Sequence, residues 1–216
     1  MRSKFDEQLA RLNNEMIEMG ALCEEAIALA AQAITEGDES LRREVVRISS
    51  EIDHKERDIE ARCLKLLLQQ QPVARDLRQI SAALKMITDM ERIGDQAEDI
   101  AEITTYLEGY HGDETVLIHA MAKEAINMVT DSVDAFVRSD MNLANDVLSH
   151  DDIVDNYFAE VKKSLIDMIA QNNETGEYAL DFLMIAKYFE RIGDHATNIA
   201  EWVIFSITGI HKEANE

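Results

Sequence analysis

From Phe5 onward apolar side chains return every three or four positions: Phe5, Leu9, Leu12, Met16, Met19, Cys23, Ala26, Ala30 and Ala33. That spacing puts them on one face of a long helix, the stripe by which a helix packs in a bundle. The phrase "EGDES", Glu36 to Ser40, interrupts the pattern, with Gly37 suited to a C-terminal stop and Asp38 to the next N-cap. A second helix is predicted on Leu41, Val45, Ile48, Ile52, Ile59 and Cys63, ending before Pro72, which can only begin a new helix. A third then runs to about Tyr106, "EGYHGDET" turns the chain, and helices follow near 115–138, 140–171 and 177–208. One proline and few glycines leave little room for the turns of a sheet.

The second half repeats the first. Met19, Ala33, Asp38, Leu41, Val45, Ile52 and Asp53 fall on Met121, Ala135, Asp140, Leu143, Val147, Val154 and Asp155 at an offset of 102, and Glu91 falls on Glu190 at an offset of 99. The difference belongs in the loop before the third helix, where one half has its proline and the other "NNETG". The expected fold is all-α: two tandem, duplicated three-helix bundles, six long helices in all, with residues 1–110 as the first repeat and 111–216 as the second.

Within this pattern one phrase departs from rule. "ERIGDQAEDIAE" (Glu91–Glu102) and "ERIGDHATNIAE" (Glu190–Glu201) carry acids into the register of the third helix: the steps Leu77, Ile80, Leu84, Ile87 lead to Glu91, Gly94 and Glu98. Glu91, Asp95 and Asp99 are four apart and share one stripe, each rotated by only about 40° from the last. Like charges at this spacing repel by a few tenths of a kcal/mol per pair, and a mid-helix glycine costs about 1 kcal/mol relative to alanine. A solvated acidic face is one explanation. The other is a cation held by oxygen ligands, favoured by recurrence of the acids in both halves beside glycine and small residues that let another helix approach. The second helix of each half supplies matching acids: Asp151 and Asp155 in the second copy, Ser49 and Asp53 in the first. The candidate ligands are therefore Asp53, Glu91, Asp95 and Asp99 in one half, and Asp151, Asp155, Glu190, Asp194 and Asn198 in the other, with Arg92 and Arg191 placed to pair with acids such as Asp95 and Asp194.

Charge narrows the partners. With 43 acids against 21 bases the formal charge is −22, which repels a nucleic-acid backbone. The start of the chain lacks the apolar stretch of a signal peptide and no run could span a bilayer, so a cytoplasmic protein without membrane insertion is expected. Cys23 and Cys63 sit on apolar helix positions, without zinc-finger spacing, and read as reduced core residues. Catalytic signals are sparse. His150–Asp151 is an isolated "HD", neither Glu91 nor Glu190 has the histidine three residues on that the Glu-x-x-His of di-iron bundles needs, and there is no phosphate-binding GxxxxGK[ST] loop. No nucleophile, base and orienter assemble, so no catalytic residue is assigned.

"FDEQLARLNNEMIEMG", "LQQQPVARDLRQISAALKMITDMERIGDQAEDIAE" and "YALDFLMIAKYFERIGDHATNIAEW" resemble the PhoU family of bacterial phosphate-transport and phosphate-signalling accessory proteins, over almost the whole chain. The resemblance implies two similar three-helix bundles, a cytoplasmic homodimer, and E/DxxxD motifs that hold multinuclear iron or zinc clusters; other divalent cations stay open. It also implies negative regulation of the phosphate-starvation response (the Pho regulon) through contact with the ATPase subunit of the phosphate ABC transporter and with a sensor histidine kinase. Ser49 stands where the family often has an acid, and Asp99 where the second copy has Asn198. Two readings follow: a non-catalytic regulator of phosphate uptake and homeostasis, and, as the alternative, a metal-dependent hydrolase or oxidase using the helical carboxylates.

Overall fold

The structure, a computed structural model, describes residues 2–70, 72–107 and 114–210. Six helices make up nearly all of them: α1 (Arg2–Glu36), α2 (Glu39–Gln70), α3 (Ala74–Ile103), α4 (Glu114–Arg138), α5 (Met141–Gln171) and α6 (Gly176–Thr208). No strand occurs among the described residues. The turn expected at "EGYHGDET" lies almost wholly at 108–113, outside the described residues.

The helix ends follow from local chemistry. Gly37 takes a left-handed φ of 61° and donates its N–H to the Ala33 carbonyl, closing α1; Asp38 then accepts from the Ser40 N–H at 2.8 Å and opens α2. The second copy repeats the device with a different residue at the left-handed position, Ser139 at φ 52°, followed by Asp140 accepting from the Asn142 and Leu143 N–H groups at 3.0 and 3.2 Å. Two expected boundaries move. α3 stops at Ile103 rather than Tyr106, because the Thr104 and Thr105 hydroxyls donate to the Ala101 and Glu102 carbonyls and the chain tightens into a 3-10 turn. Pro72 is not the first helical residue: Val73, extended at ψ 164°, is the N-cap and α3 begins at Ala74.

Four helices, α1, α3, α4 and α6, pack together at the centre; α2 covers α1 and α3, and α5 covers α4 and α6. α3 lies most extensively against α6, so the third helices of the two halves face each other across one seam. The buried core runs without interruption through both halves, from Leu12, Met16 and Ile27 to Phe136, Phe182 and Phe189. Cys23 and Cys63 are buried free thiols within it. Burial pushes both thiols up, Cys63 to about 12, which keeps them protonated and unreactive.

Candidate metal centre

The α3 stripe that packs in the core is Ile80, Ala83, Met86, Ile87, Met90, Ile93, Ala97 and Ile100. It continues apolar past the acids. The expected register, running from Leu77 through Leu84 into Glu91, traces the edge of this stripe: Leu77 is exposed, and Glu91 and Glu98 are half-buried. The acids thus flank the core instead of replacing it. Gly94 explains how α2 reaches them. A Cβ there would lie 3.1 Å from Ile52 Cδ1, so the glycine lets α2 approach and sets Asp53, one residue on, beside the acids of α3.

Asp53, Glu91 and Asp95 meet. One carboxylate oxygen from each lies within 4.8 Å of the other two. Burial raises the Glu91 carboxyl first of all; Asp95, Asp53 and Glu56 add to the effect, and the Arg92 guanidinium opposes it. Arg92 bonds Asp95 at 2.9 Å and reaches Glu91 at 3.4 Å, the pairing expected of it. Three hard oxygen donors from two helices, half-buried and mutually repelling, fit a cation that prefers carboxylates.

In the second half Asp151 and Asp155 of α5 face Glu190 and Asp194 of α6. Asp151 is the most perturbed: burial, then Asp155, Asp194 and Glu190, raise its carboxyl to about 6. Asp194 is raised too, by desolvation and then Glu190, with Lys187 opposing. The Thr197 side chain works against the rise at Asp151, yet its buried hydroxyl has no well-formed hydrogen-bond partner. Gly193 gives α5 its approach, since a Cβ there would meet Asp151 Oδ1 at 3.4 Å and Val154 Cγ1 at 3.5 Å. Glu190 is nearly buried, its side chain 14% exposed, and is bonded by Lys187, whose ammonium also sits 5.5 Å from the Phe158 ring centroid. A cation entering here meets Lys187 as a competitor for Glu190. Among the described residues three ligand atoms come within 4.8 Å of one another only at Asp53, Glu91 and Asp95, so the acids of this second cluster are crowded but more widely spread.

Asp99 and Asn198 are drawn elsewhere. Both lie at the α3–α6 seam: Asn198 donates its amide to Asp89 at 3.1 Å, and Asp99 lies beside Tyr188 and Arg191 of α6. Arg191 acts there as well, lowering Asp99, rather than on Asp194. Two features near the acids were not found by sequence reasoning. One is Asp89, which bonds His195 Nδ1 at 2.9 Å across the seam. The other is a cleft of about 760 Å³ between α2 and the end of α3, lined by Arg42, Arg43 and Arg47 together with Glu98 and Glu102. Its counterpart in the second half, about 320 Å³ with Asn145, Leu148 and Ile204, has no arginine in its lining. Three arginines within six positions of a strongly acidic chain were the available signal.

The comparisons with known proteins agree with this architecture. The PhoU domain model matches twice, at residues 16–104 and 118–203. The chain is 34% identical over 217 residues to a phosphate-specific transport system accessory protein PhoU homolog of Clostridium acetobutylicum, covering all of this chain and 99% of that one. It is 36% identical over 211 residues to the Synechocystis homolog of the same name, covering 96% and 93%. The crystal structure of PhoU from Pseudomonas aeruginosa superposes with a TM-score of 0.89 at 32% identity, over 95% of this chain and all of that one. The phosphate transport system regulatory protein PhoU from Streptococcus pneumoniae gives 0.88 at 26%, over 95% and 98%. These names are those of accessory and regulatory proteins, not of enzymes. With two matched copies of the domain spanning most of its length, the chain belongs to the PhoU family.

Proposed function

We propose that the chain is a non-catalytic accessory protein of a phosphate transport system, acting in the cytoplasm as a homodimer. In this reading it contacts the ATPase subunit of the phosphate ABC transporter and a sensor histidine kinase, and holds the phosphate-starvation response off while phosphate is plentiful. The observation that carries it is likeness along the full length to accessory proteins of that system, at 34% identity over all of this chain. No helix among the described residues is long and apolar enough to cross a membrane, so the transporter is met from outside the bilayer. The hydrolase or oxidase alternative has no observation in its favour.

Metal belongs to this reading as a structural or regulatory ligand. Asp53, Glu91 and Asp95 would hold one ion or part of a multinuclear cluster, and Asp151, Asp155, Glu190 and Asp194 the other. Iron, zinc and other divalent cations are all candidates; the purely carboxylate donors of the first site suit oxygen-preferring ions best. A bound cation supplies positive charge that removes the repulsion among the acids and ties α2 to α3, or α5 to α6. Arg92 trims the charge at the first site, and Lys187 does so at the second.

The test is direct binding to the purified ATPase subunit. A chain of charge −22 meets basic patches, so affinity is expected to fall as salt rises from 0.05 to about 0.5 M, where screening shortens to a few ångströms. No binding at any salt concentration would remove the transporter from the proposal.

A further inference from the structure

Acids are spread along nearly the whole chain, with one long gap. Residues 61–88 hold a single acid, Asp76, against five bases, Arg62, Lys65, Arg75, Arg78 and Lys85, while the rest of the chain holds the other 42 acids against 16 bases. The stretch covers the end of α2 and the first half of α3, so the fold gathers it at one end of the molecule. The end of α6 comes to the same place: Arg78 donates to the Ser206 carbonyl at 3.3 Å, and residues 202–210 carry no formal charge. The first turns of α1 lie there too, since Arg62 pairs with Glu15 and Gln79 donates to Asn13; residues 2–15 hold three bases and three acids. Large apolar side chains are exposed at this end. Leu64 and Leu68 near the end of α2, Val73 at the N-cap of α3 and Leu77 one turn inside it are 48%, 85%, 56% and 45% exposed. Lys65 and Arg75 stand exposed among them, and neither is drawn into an ion pair with another described residue.

Exposed leucines beside uncompensated cations suit the interface of a bilayer, where phosphate headgroups take the cations and the acyl boundary takes the apolar side chains. We propose that this end of the molecule docks on an anionic membrane surface: Leu64, Leu68, Val73 and Leu77 enter the headgroup layer, Lys65 and Arg75 meet lipid phosphates, and no described helix crosses the bilayer. The remaining negative charge does not prevent it. Beyond Asp76 the next acid of α3 is Asp89, 12 positions past Leu77 and so about 18 Å up the helix. On α2 the nearest is Glu60, about 12 Å along the helix from Leu68. Both distances exceed the Debye length of about 8 Å at physiological ionic strength, so a molecule standing on this end keeps its acids screened from the lipid. A protein pocket is the other surface that takes exposed leucines. The bilayer is favoured because the end combines apolar exposure with a positive charge opposite to that of the chain, and because Leu64, Leu68, Val73 and Leu77 line neither cleft described above. Docking of this kind needs neither a bound metal nor the transporter.

The experiment is co-sedimentation of the full-length chain, in chelator, with vesicles of pure phosphatidylcholine and of phosphatidylcholine mixed with phosphatidylglycerol. Net charge alone predicts that a chain of −22 avoids the anionic vesicles. Docking by this end predicts that it prefers them. Lys65→Gln with Arg75→Gln should weaken binding to the anionic vesicles by about 25-fold, at roughly fivefold for each basic side chain near an anionic surface, and remove the preference. Leu68→Ser with Val73→Ser should weaken it by about tenfold or more through lost apolar contact. All four side chains are exposed, so the melting temperatures of both variants are expected not to fall. Lys162→Gln with Lys163→Gln serves as the control: α5 starts near the end of α6 and carries these exposed lysines away from the docking end, so binding should not change. No binding to anionic vesicles, equal binding to neutral ones, or equal losses from the two charge variants overturns the inference. So does a Lys65→Gln, Arg75→Gln variant that loses affinity for the purified ATPase subunit while the unaltered chain ignores vesicles, which would make this end a protein-docking surface.

Discussion

Asp151→Asn is expected to stabilise the metal-free chain at neutral pH and to do nothing at acid pH. In the folded chain burial and the carboxylates of Asp155, Asp194 and Glu190 raise the Asp151 carboxyl from 3.8 to about 6. Between these values the folded chain keeps a proton that the unfolded chain has released, so stability falls as pH rises through that window, and the penalty is complete above about 6. A displacement of this size corresponds to about 3 kcal/mol at 1.36 kcal/mol per pH unit. Asp151 is only half-buried, and solvent screening reduces the figure to roughly 1–2 kcal/mol. For a chain of 216 residues each kcal/mol moves the melting temperature by about 2–4 °C. Thermal unfolding in a chelator should therefore show Asp151→Asn melting higher by about 2–8 °C at pH 7.5 and level with the unaltered chain at about pH 3, below both values. With metal added, the order at pH 7.5 should reverse, because the amide is a poorer ligand than the carboxylate. A variant that melts lower in chelator at pH 7.5, or gains equally at both pH values, would refute the claim that crowded charge is stored at this cluster.

The two ERIGD glycines are expected to respond differently to alanine. Gly193→Ala meets only ordinary contacts and should recover up to about 1 kcal/mol of helix propensity, whereas Gly94→Ala must displace the fully buried Ile52 and should fall short of it by about 1 kcal/mol; equal effects in urea unfolding would contradict the close α2–α3 approach. Ser139, left-handed where the first copy has Gly37, should give roughly 0.5–1 kcal/mol on replacement by glycine. An unchanged urea midpoint for Ser139→Gly would show that this position carries no backbone strain.

Much of the fold was legible because its signals are local. The period of the apolar stripes, Gly37 with Asp38, and the offset between the halves all act within a few turns of one helix, and all appear in the structure. The convergence of Asp53, Glu91 and Asp95 could also be anticipated, since a duplicated acid motif next to glycine implies a neighbouring helix. What sequence did not disclose depends on how helices rotate against one another. The wide apolar face of α3 contains two adjacent stripes, and periodicity alone did not separate the core stripe through Met90 and Ile93 from its edge through Glu91. That small rotation decides which acids turn toward α2 and which toward α6, and so carries Asp99 and Asn198 to the seam. Asp89 escaped notice because its partners are more than 100 residues away, where no local pattern marks them.

The central claim, that this chain restrains the response to phosphate starvation as part of a phosphate transport system, is tested most directly in cells. A reporter driven by a starvation-inducible promoter is measured under abundant phosphate in a host whose own copy of this gene has been deleted, with and without the chain restored. The reporter is expected to stay on in the deletion and to return to its repressed level when the chain is supplied. A reporter that remains repressed in the deletion strain would contradict the claim.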